Sequence, residues 1–377
     1  MRIAHVSDCY APRTGGIESQ VRALAVQQRD SGRDVRVITA TAGADGHRVM
    51  LDDVDGVVVH RLAAAVPFDL PIHPRTRREV AQVLRDDPVD VVHVHAGVIS
   101  PFAWGAVRAA RELGLPVLVT VHSVWGQLAR PAFGLSDAVA RWHEWGVTLS
   151  AVSDLAAARV QEAVPRAGRV LVLPNGIDPD TWSVEPHGAS PDLLRVATVM
   201  RLAPRKRTLP LLRMIALARQ GLAGTADVTA TIVGDGPMRE RARRFADQHG
   251  LGSSVTFTGR LDRDGVREVL ASSDVYLQPS VKESFGLAAL EARTCGLPVI
   301  VRAQSGSTQF IHDGVEGLVA ADDAGMVGAL IRLGWDRPLL EAITQRNRAH
   351  PPQESWPRVL LSVDEAYELT AAAAAAR

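Results

Sequence analysis

The chain has 377 residues, of which 46% are hydrophobic and 22% charged, and its formal net charge is zero. This length is typical of two domains, and the balanced charge excludes the basic surface on which nucleic-acid binding usually depends. The only cysteines are Cys9 and Cys295, so no disulfide framework is predicted, and no apolar run is long enough to predict a membrane-spanning helix. The N-terminal apolar run is too short for a secretory signal, so we expect a cytoplasmic protein.

The first half of the chain alternates short apolar strands with helical patterns. Strands are predicted at 3–7, 35–40, 57–62, 89–95, 117–122, 149–153 and 170–174, and helices at 17–28 and 101–113. The strands are apolar throughout instead of alternating with polar residues, which is typical of a parallel sheet covered by helices on both faces. We therefore predict a Rossmann-like domain over residues 1–180. The proline-, glycine- and aspartate-rich stretch 175–191 is interpreted as a linker.

The same alternation resumes after the linker. Strands are predicted at 195–200, 229–233, 255–258, 275–277, 299–302 and 317–319. They indicate a second Rossmann-like domain over residues 190–355. A final helical pattern, 359–376, is assigned to a C-terminal segment over residues 356–377.

The stretch from Tyr276 to Pro298 combines a strand end, a loop, a helix and two carboxylates. The helix begins after Phe285-Gly286, and a helix start presents free N–H groups and partial positive charge to a diphosphate. Glu283, just before the loop, can accept hydrogen bonds from the hydroxyls of an attached sugar, and Glu291, on the helix, can do so for a ribose. The alternative is that both glutamates are surface charges.

Seven short motifs occur in a fixed order along the chain. They are Gly15-Gly16-Ile17-Glu18, Thr120-Val121-His122, Pro174 to Asp178, Arg201 to Lys206, Gly234-Asp235-Gly236-Pro237, Glu283 to Glu291 and Gly296 to Ile300. Together they resemble the retaining nucleotide-sugar glycosyltransferases of family four. The resemblance covers nearly the whole chain.

The resemblance implies an α/β protein of the GT-B fold. In that fold two Rossmann-like domains face a central cleft, and the C-terminal helix crosses back to the first domain. It also implies that a hexosyl or N-acetylhexosaminyl group moves from a nucleoside-diphosphate sugar to an acceptor hydroxyl by front-face attack. Neither a cofactor nor a metal ion is expected to take part. Two alternatives on the same fold stay open, a retaining disaccharide phosphorylase and a non-catalytic nucleotide-sugar binding protein.

The resemblance assigns roles to particular residues. Arg201 and Lys206 are expected to hold the donor diphosphate, Glu283 to contact the transferred sugar and His122 to lie near that sugar; these four are the expected catalytic residues. The expected donor-binding residues are Gly15, Gly16, Gly234, Arg260, Leu261, Ser284, Phe285, Gly286, Leu287 and Glu291. Among these, Arg260 and Leu261 are expected beside the nucleobase and Glu291 on the ribose.

Two positions depart from the family pattern. Arg207 stands where the family usually has glycine, and Gln309 stands where it often has an acidic residue. The lysine content also singles out one motif residue, because only Lys206 and Lys282 are lysines among 42 basic residues. A lysine that persists in so arginine-rich a chain is expected to be needed as a compact ammonium, which a guanidinium does not replace.

Possible metal ligands occur at three places. His93 and His95 alternate on one predicted strand, as metal ligands can, but the sequence offers no third ligand at suitable spacing, so we interpret them as structural histidines. The pairs Asp53 with Asp55 and Asp262 with Asp264 have the spacing of an Asp-x-Asp metal site. Both pairs are interpreted as surface turns.

The substrates are less well determined than the class. The Glu-Ser-Phe-Gly-Leu segment resembles that of family members that use uridine-diphosphate sugars slightly more than that of members that use guanosine-diphosphate sugars, which implies a uridine-diphosphate donor. A small molecule, a glycan or a lipid-linked molecule remains open as acceptor, as does the choice between monomer and homodimer. Residues 73–86 carry four arginines beside apolar residues, which predicts either a basic helix in weak peripheral contact with the inner face of a membrane or an ordinary solvated face.

Overall fold

A computed structural model describes residues 1–66, 70–97, 99–125, 131, 142–185, 187–188 and 190–376 of the chain. It divides the chain into two compact units. The first unit is formed by Met1–Gly176 together with Glu354–Arg377, and the second by Ile177–Gln353. The end of the chain is thus part of the first unit, as expected for a C-terminal helix that crosses back.

The first unit contains one eight-stranded sheet. Its strands are β1 (Arg2–Ser7), β2 (Asp34–Thr39), β3 (Val49–Val54), β4 (Val57–Leu62), β5 (Val91–Ala96), β6 (Val117–Val121), β7 (Thr148–Ala151) and β8 (Leu171–Val172), in the order β3-β4-β2-β1-β5-β6-β7-β8. All pairs are parallel except β3 with β4. We did not predict β3 from the sequence, because this edge strand exposes Val49 and Leu51 and lacks the buried apolar run of the others.

Helices pack on this sheet and contribute to its core. They are α1 (Gly16–Asp30), α2 (Thr76–Asp86), α3 (Pro101–Glu112) and α4 (Asp154–Ala163). On one face, α3 buries Phe102, Ala106 and Val107 against strand residues of β5 and β6. Asp8, which follows β1, accepts a hydrogen bond from the Phe102 N–H at 3.1 Å and so satisfies part of the α3 N-terminus.

The second unit contains a six-stranded, wholly parallel sheet. Its strands are β9 (Leu193–Val199), β10 (Asp227–Val233), β11 (Val255–Gly259), β12 (Val275–Leu277), β13 (Val299–Arg302) and β14 (Gly317–Ala320), in the order β11-β10-β9-β12-β13-β14. Its helices are α5 (Pro179–Trp182), α6 (Thr208–Gly221), α7 (Arg239–Gln248), α8 (Arg263–Ala271), α9 (Leu287–Thr294), α10 (Asp323–Trp335) and α11 (Arg337–Ala349). The predicted α/β class and the second Rossmann-like domain are confirmed.

Three stretches that we predicted as a linker or as turns have definite structures. The stretch interpreted as a linker contains α5, which Asp178 caps and which buries Trp182. Asp262 caps α8 by accepting the Gly265 N–H at 2.9 Å, and Asp55 lies in the β3–β4 turn, where it pairs with Arg22. These aspartates therefore have local partners in turns and caps.

The last helix, α12 (Trp356–Ala375), packs on the first unit. It buries Val359, Val363 and Tyr367 in a cluster with α1 residues such as Val21 and Ala25. The helix therefore completes the core on the second face of the first sheet.

Candidate functional site

The predicted donor residues of the second unit follow neighbouring strands. Arg201 comes after β9, Gly234 after β10, Arg260 after β11 and Glu283 after β12. These four strands are adjacent in the sheet order β11-β10-β9-β12 and run parallel, so their carboxyl ends lie at one edge. Ligands of open parallel sheets bind at that edge. The fold thus brings together four motifs from widely separated parts of the sequence.

Lys206 and Glu283 form an ion pair at this edge. Lys206 Nζ lies 2.6 Å from Glu283 Oε2, and the two side chains are 23% and 16% exposed. From the sequence we assigned the lysine to the diphosphate and the glutamate to the sugar. In the structure each is the other's partner, so a ligand that takes Lys206 as its cation also changes the surroundings of Glu283.

The loop before α9 is held by a neighbouring loop. The Gly306 N–H donates to the Glu283 carbonyl at 2.8 Å, and Ser307 Oγ donates to the Phe285 carbonyl at 2.8 Å. Gln278, buried at the end of β12, donates its amide to Ser307 Oγ at 3.0 Å. Gln278 and Ser307 were not predicted as supports of the loop, and the only signal available for them was their position after β12 and β13.

Gly286 meets a double constraint at the start of α9. Its φ of +93° is a left-handed value that favours glycine, and a Cβ there would lie 2.0 Å from Ser307 Oγ. Phe285 is 1% exposed and contacts Phe310, so only its backbone is available to a ligand. Leu287, half-buried, is the first residue of α9, whose opening N–H groups have no partner within the helix. Ser284 is half-buried in the same loop.

Glu291 lies on α9 and is half-buried rather than solvated. Burial raises the pKa of its carboxyl to about 8, and the charge of Arg263 acts in the opposite direction. At neutral pH this carboxyl is therefore mainly protonated, and it can both donate and accept a hydrogen bond. Such a group suits a pair of ribose hydroxyls, although its assignment to the ribose remains a prediction.

Arg207 adopts the left-handed conformation that explains why glycine is usual at this position. Its φ is +63°, and it directly precedes α6. Its guanidinium lies 2.5 Å from Asp323, which also contacts Arg302 at 2.7 Å. This charge cluster holds Arg207 in a conformation that costs a non-glycine residue about 1 kcal/mol. Gln309, the other departure, lies in the 3₁₀ turn Gly306–Gln309.

The remaining predicted donor residues differ in their surroundings. Gly234 has a φ of +125°, and a Cβ there would lie 2.0 Å from the Met200 carbonyl oxygen, so close backbone packing alone accounts for a glycine. Arg201 and Arg260 are exposed, and the Leu261 side chain is 38% exposed. An exposed leucine beside an arginine offers both an apolar and a cationic surface to a planar base.

Three of the predicted residues, Gly15, Gly16 and His122, belong to the first unit. Gly15 has an extended backbone and immediately precedes α1, and Gly16 is the first residue of that helix. A Cβ on Gly16 would meet nothing within 4 Å, so the protein's own packing does not require glycine there. His122 follows β6 and lines a cavity with Gln20, Asn175 and Trp356.

Four histidines lie close together in the first unit. His5 on β1 stands opposite His93 in the strand register, and ring nitrogens of His5, His93 and His95 lie within 4.8 Å of one another. Our expectation that His93 and His95 have no third potential ligand is therefore wrong. A neighbouring strand supplies it, and spacing along the chain cannot reveal strand order. His95 Nδ1 also lies 3.0 Å from His122 Nε2.

Burial keeps these histidines neutral. It lowers the pKa of His5 and of His122 to about 4 and holds the pKa values of His93 and His95 well below their usual range. Removing a charged imidazolium from water is costly, so neutral rings that share hydrogen bonds are favoured. Such rings donate from one nitrogen and accept at the other.

Comparisons with known proteins agree with these features. The family description "Glycosyl transferases group 1" matches residues 183–350, and "Glycosyltransferase Family 4" matches residues 14–181. The phosphatidyl-myo-inositol mannosyltransferase of Mycolicibacterium smegmatis is 30% identical over 393 residues, covering 99% of this chain and 95% of that protein. One of the subunits of the phosphatidylinositol N-acetylglucosaminyltransferase of Arabidopsis thaliana is 26% identical over 359 residues, covering 92% of this chain and 77% of that protein.

A solved structure extends the likeness to three dimensions. HepE from Anabaena, crystallised in complex with UDP and glucose, matches with a TM-score of 0.75 at 18% identity, over 99% of this chain and 100% of that one. This likeness bears on the fold, while the sequence matches bear on the family. The chain therefore belongs to glycosyltransferase family 4, has the GT-B fold and is a nucleotide-sugar glycosyltransferase.

Proposed function

We propose that the protein transfers a hexosyl or N-acetylhexosaminyl group, with retention of anomeric configuration, from a nucleoside-diphosphate sugar to a hydroxyl of a phosphatidylinositol-type lipid. The observation that carries the donor half is the convergence of Arg201, Lys206, Glu283 and the start of α9 at one sheet edge. The acceptor half is supported by two relatives whose names share phosphatidylinositol but differ in the sugar transferred.

The residues at this sheet edge have different roles in the proposed reaction. The C–O bond between the anomeric carbon and the donor phosphate breaks, a bond to the acceptor oxygen forms on the same face, and the acceptor proton passes to a phosphate oxygen. Arg201, Lys206 and the first N–H groups of α9 stabilise the charge that develops on the leaving diphosphate. When the donor binds, Lys206 leaves its ion pair with Glu283 and pairs with the diphosphate. The Glu283 carboxylate then accepts hydrogen bonds from the sugar hydroxyls.

The decisive experiment is turnover with defined donors and vesicles. UDP-N-acetylglucosamine, UDP-glucose and GDP-mannose are each offered to the protein with phosphatidylinositol vesicles, and the glycolipid is analysed by NMR for its anomeric configuration. We expect a UDP-sugar to be used in preference and the product anomer to match the donor. An inverted product would contradict the mechanism. Turnover only of a disaccharide with inorganic phosphate, releasing a sugar phosphate and a monosaccharide, would identify a phosphorylase, and donor binding without any turnover would identify a binding protein.

The proposed chemistry needs no divalent ion, because two cationic side chains and backbone N–H groups balance the diphosphate charge. After exhaustive chelation we expect the rate of glycolipid formation to stay within about twofold of the untreated rate, as no charge is lost from the site. The measurement is the steady-state rate with and without added magnesium or manganese. A rate that vanishes with chelator and returns with metal would contradict this proposal.

Access to a lipid acceptor fits a peripheral position on the membrane. Among the described helices, none has the length and apolar composition needed to cross a bilayer. On and just before α2, Arg75, Arg78 and Arg85 are exposed, whereas Arg77 pairs with Glu112 at 2.6 Å. We propose that the three exposed arginines bind anionic headgroups. In the vesicle assay, raised salt should then release the protein from the lipid.

A further inference from the structure

A continuous row of hydrogen bonds runs through the interior of the first unit, and a backbone carbonyl fixes its direction. The Val119 carbonyl oxygen only accepts, so Ser150 Oγ donates to it at 3.2 Å. Because the Ser150 hydroxyl hydrogen is used in that bond, Thr120 Oγ1 is the donor in its 2.7 Å contact with Ser150 Oγ. Since the Thr120 hydrogen is used in turn, His93 Nε2 donates to Thr120 Oγ1, at 2.7 Å.

The same logic passes through the C-terminal helix. A neutral His93 that donates from Nε2 accepts at Nδ1, so Tyr367 of α12 donates its hydroxyl to it at 2.9 Å. The Tyr367 oxygen then accepts the Gln28 amide N–H at 3.1 Å. The remaining atom of that amide, Oε1, accepts from His5 Nε2 at 2.7 Å. Gln28 is 0% exposed and Tyr367 1%, so water is excluded from both.

Two histidine pairs carry the row to the end of β6. His5 Nδ1, left without a hydrogen, accepts from His95 Nε2 at 2.9 Å. His95 Nδ1 then accepts from His122 Nε2 at 3.0 Å. Every bond in the row has one direction, and that direction leads from His122 to the Val119 carbonyl.

We propose that this row fixes His122 in the tautomer with its hydrogen on Nε2, so that Nδ1 carries the lone pair and can act only as a hydrogen-bond acceptor. Gln28, His5 and His95 are then positioning residues for His122, acting from the interior of the first unit. The role of that acceptor toward a substrate hydroxyl rests on the proposed transferase function. The tautomer itself rests only on the contacts within the first unit.

The row also distinguishes this cluster from a metal centre. Each ring nitrogen of His5, His93 and His95 has a hydrogen-bonding partner within 3.0 Å. A metal ion would have to replace several of these bonds and would bring its charge into a buried site. Zinc binding is therefore an outcome that the test must detect.

Two substitutions of His5 distinguish a role in the hydrogen-bonded row from a role in packing alone. In His5→Asn the amide takes the place of Nδ1, so its oxygen still accepts from His95 Nε2. In His5→Gln the amide takes the place of Nε2, so the contact with Gln28 is kept and the contact with His95 is lost. Both variants bring one amide of similar size into the same pocket, and thermal unfolding establishes that each folds.

The first readout needs no substrate. In protein labelled with ¹⁵N-histidine, long-range ¹H–¹⁵N correlation spectra assign the hydrogen of His122 to Nε2 or Nδ1, with the His122→Gln spectrum identifying its signals. We expect Nε2–H in the unsubstituted protein and in His5→Asn, and a mixture of tautomers in His5→Gln. An Nδ1–H signal in the unsubstituted protein, or identical spectra for the two variants, would overturn the proposal. Stoichiometric binding of Zn²⁺ that shifts the His5 and His95 signals would also overturn it.

The second readout is kinetic. With the donor and vesicle assay described above, we expect His5→Gln to lower kcat about tenfold with little change in the donor KM, as one hydrogen bond in the reacting complex is misdirected. We expect His5→Asn to keep most of the kcat of the unsubstituted protein, because its amide oxygen still accepts from His95. An equal loss of kcat in both variants would show that His5 acts only through packing and would overturn its positioning role. If no donor is turned over, the proposed function fails, while the spectra still decide the tautomer.

Discussion

Lys206 pairs with Glu283 in the structure, and in the proposed reaction it binds the donor diphosphate. Because its ammonium would then supply a full charge next to the leaving group, we expect Lys206→Ala to lower kcat/KM about a hundredfold. Lys206→Arg should not restore full activity, since the planar guanidinium has a different shape and reach. The measurement is steady-state transfer with the best donor.

The other lysine provides the matched control. Lys282 is exposed and adjoins Glu283 in sequence, and Lys282→Ala removes the same charge nearby. We expect it to leave the rate within about twofold of normal, as exposed charges are well screened. Full activity in Lys206→Arg, or an equal loss in Lys282→Ala, would contradict a specific role for the Lys206 ammonium.

We expect substitutions of Glu283 and Glu291 to differ in their effects on nucleotide binding and on turnover. Glu283→Gln removes the carboxylate that holds Lys206, so we expect the bare nucleoside diphosphate to bind as tightly as before or more tightly, while turnover falls. Glu291→Gln should weaken the bare nucleotide. Calorimetric titration of UDP into each variant, beside steady-state rates, distinguishes the two. Equal loss of nucleotide affinity in both variants would show that the roles are wrongly assigned.

The pKa of Glu291 makes its contribution depend on pH. Below a pKa of about 8 the carboxyl is protonated and forms only neutral hydrogen bonds; above it, the carboxylate is a stronger acceptor. We expect the variant to lose about 1 kcal/mol of nucleotide affinity at pH 7 and about 2 kcal/mol at pH 9. Titrations at the two pH values measure the difference. A loss that is independent of pH would contradict the raised pKa or the ribose contact.

The start of α1 can be tested through Gly16. Since a Cβ there meets nothing within 4 Å, Gly16→Ala should leave the fold unharmed and stabilise the helix by about 0.5 kcal/mol. If the donor diphosphate approaches this backbone closely, the same methyl group should weaken donor binding. Thermal unfolding and calorimetry of the nucleotide-sugar check the two effects. Unchanged donor affinity and turnover in the alanine variant would show that Gly16 is not a donor-binding residue.

Gly286 provides the contrasting case at the start of α9. Its left-handed φ and the 2.0 Å approach of a Cβ to Ser307 Oγ predict that Gly286→Ala loses stability by more than about 1 kcal/mol. The two glycines thus differ in what requires them. The packing of the protein requires Gly286, and only a bound ligand would require Gly16.

Acid stability reports on the buried histidines as a group. His5 keeps its neutral form down to a pKa of about 4, whereas its unfolded pKa is about 6.5, so the unfolded state binds more protons between these values. Stability from this residue is complete above pH 6.5 and is lost as pH falls to 4, by about 3 kcal/mol in total. The lowered pKa values of His93, His95 and His122 act in the same direction.

The corresponding measurement is urea unfolding at pH 8, 7, 6, 5 and 4, monitored with a spectroscopic probe in the first unit. We expect the free energy of unfolding to be flat above pH 6.5 and to fall steadily below it. His5→Asn should show a shallower fall, because an amide does not titrate. A profile of the unsubstituted protein that is flat between pH 7 and 5 would show that the histidines do not stay neutral in the fold.

The sequence by itself determined the class of the fold and the place of the donor motifs. Apolar strands alternating with helices identify parallel sheets because hydrophobic periodicity and helix propensity depend on near neighbours in the chain. Motifs that follow strands then lie at one sheet edge whatever the strand order. That reasoning located Arg201, Lys206 and Glu283 at the edge where the structure has them.

Only the tertiary structure decided which side chains meet. Lys206 and Glu283 are 77 residues apart, and His5 and His95 are 90 apart. Their contacts depend on the order and register of strands and on the closing of loops, which no local pattern specifies. The left-handed conformation of Arg207 is likewise stabilised by Asp323, a residue distant in the chain. Side-chain pairing across a sheet is a property of the folded arrangement, and so the sequence alone does not predict these contacts.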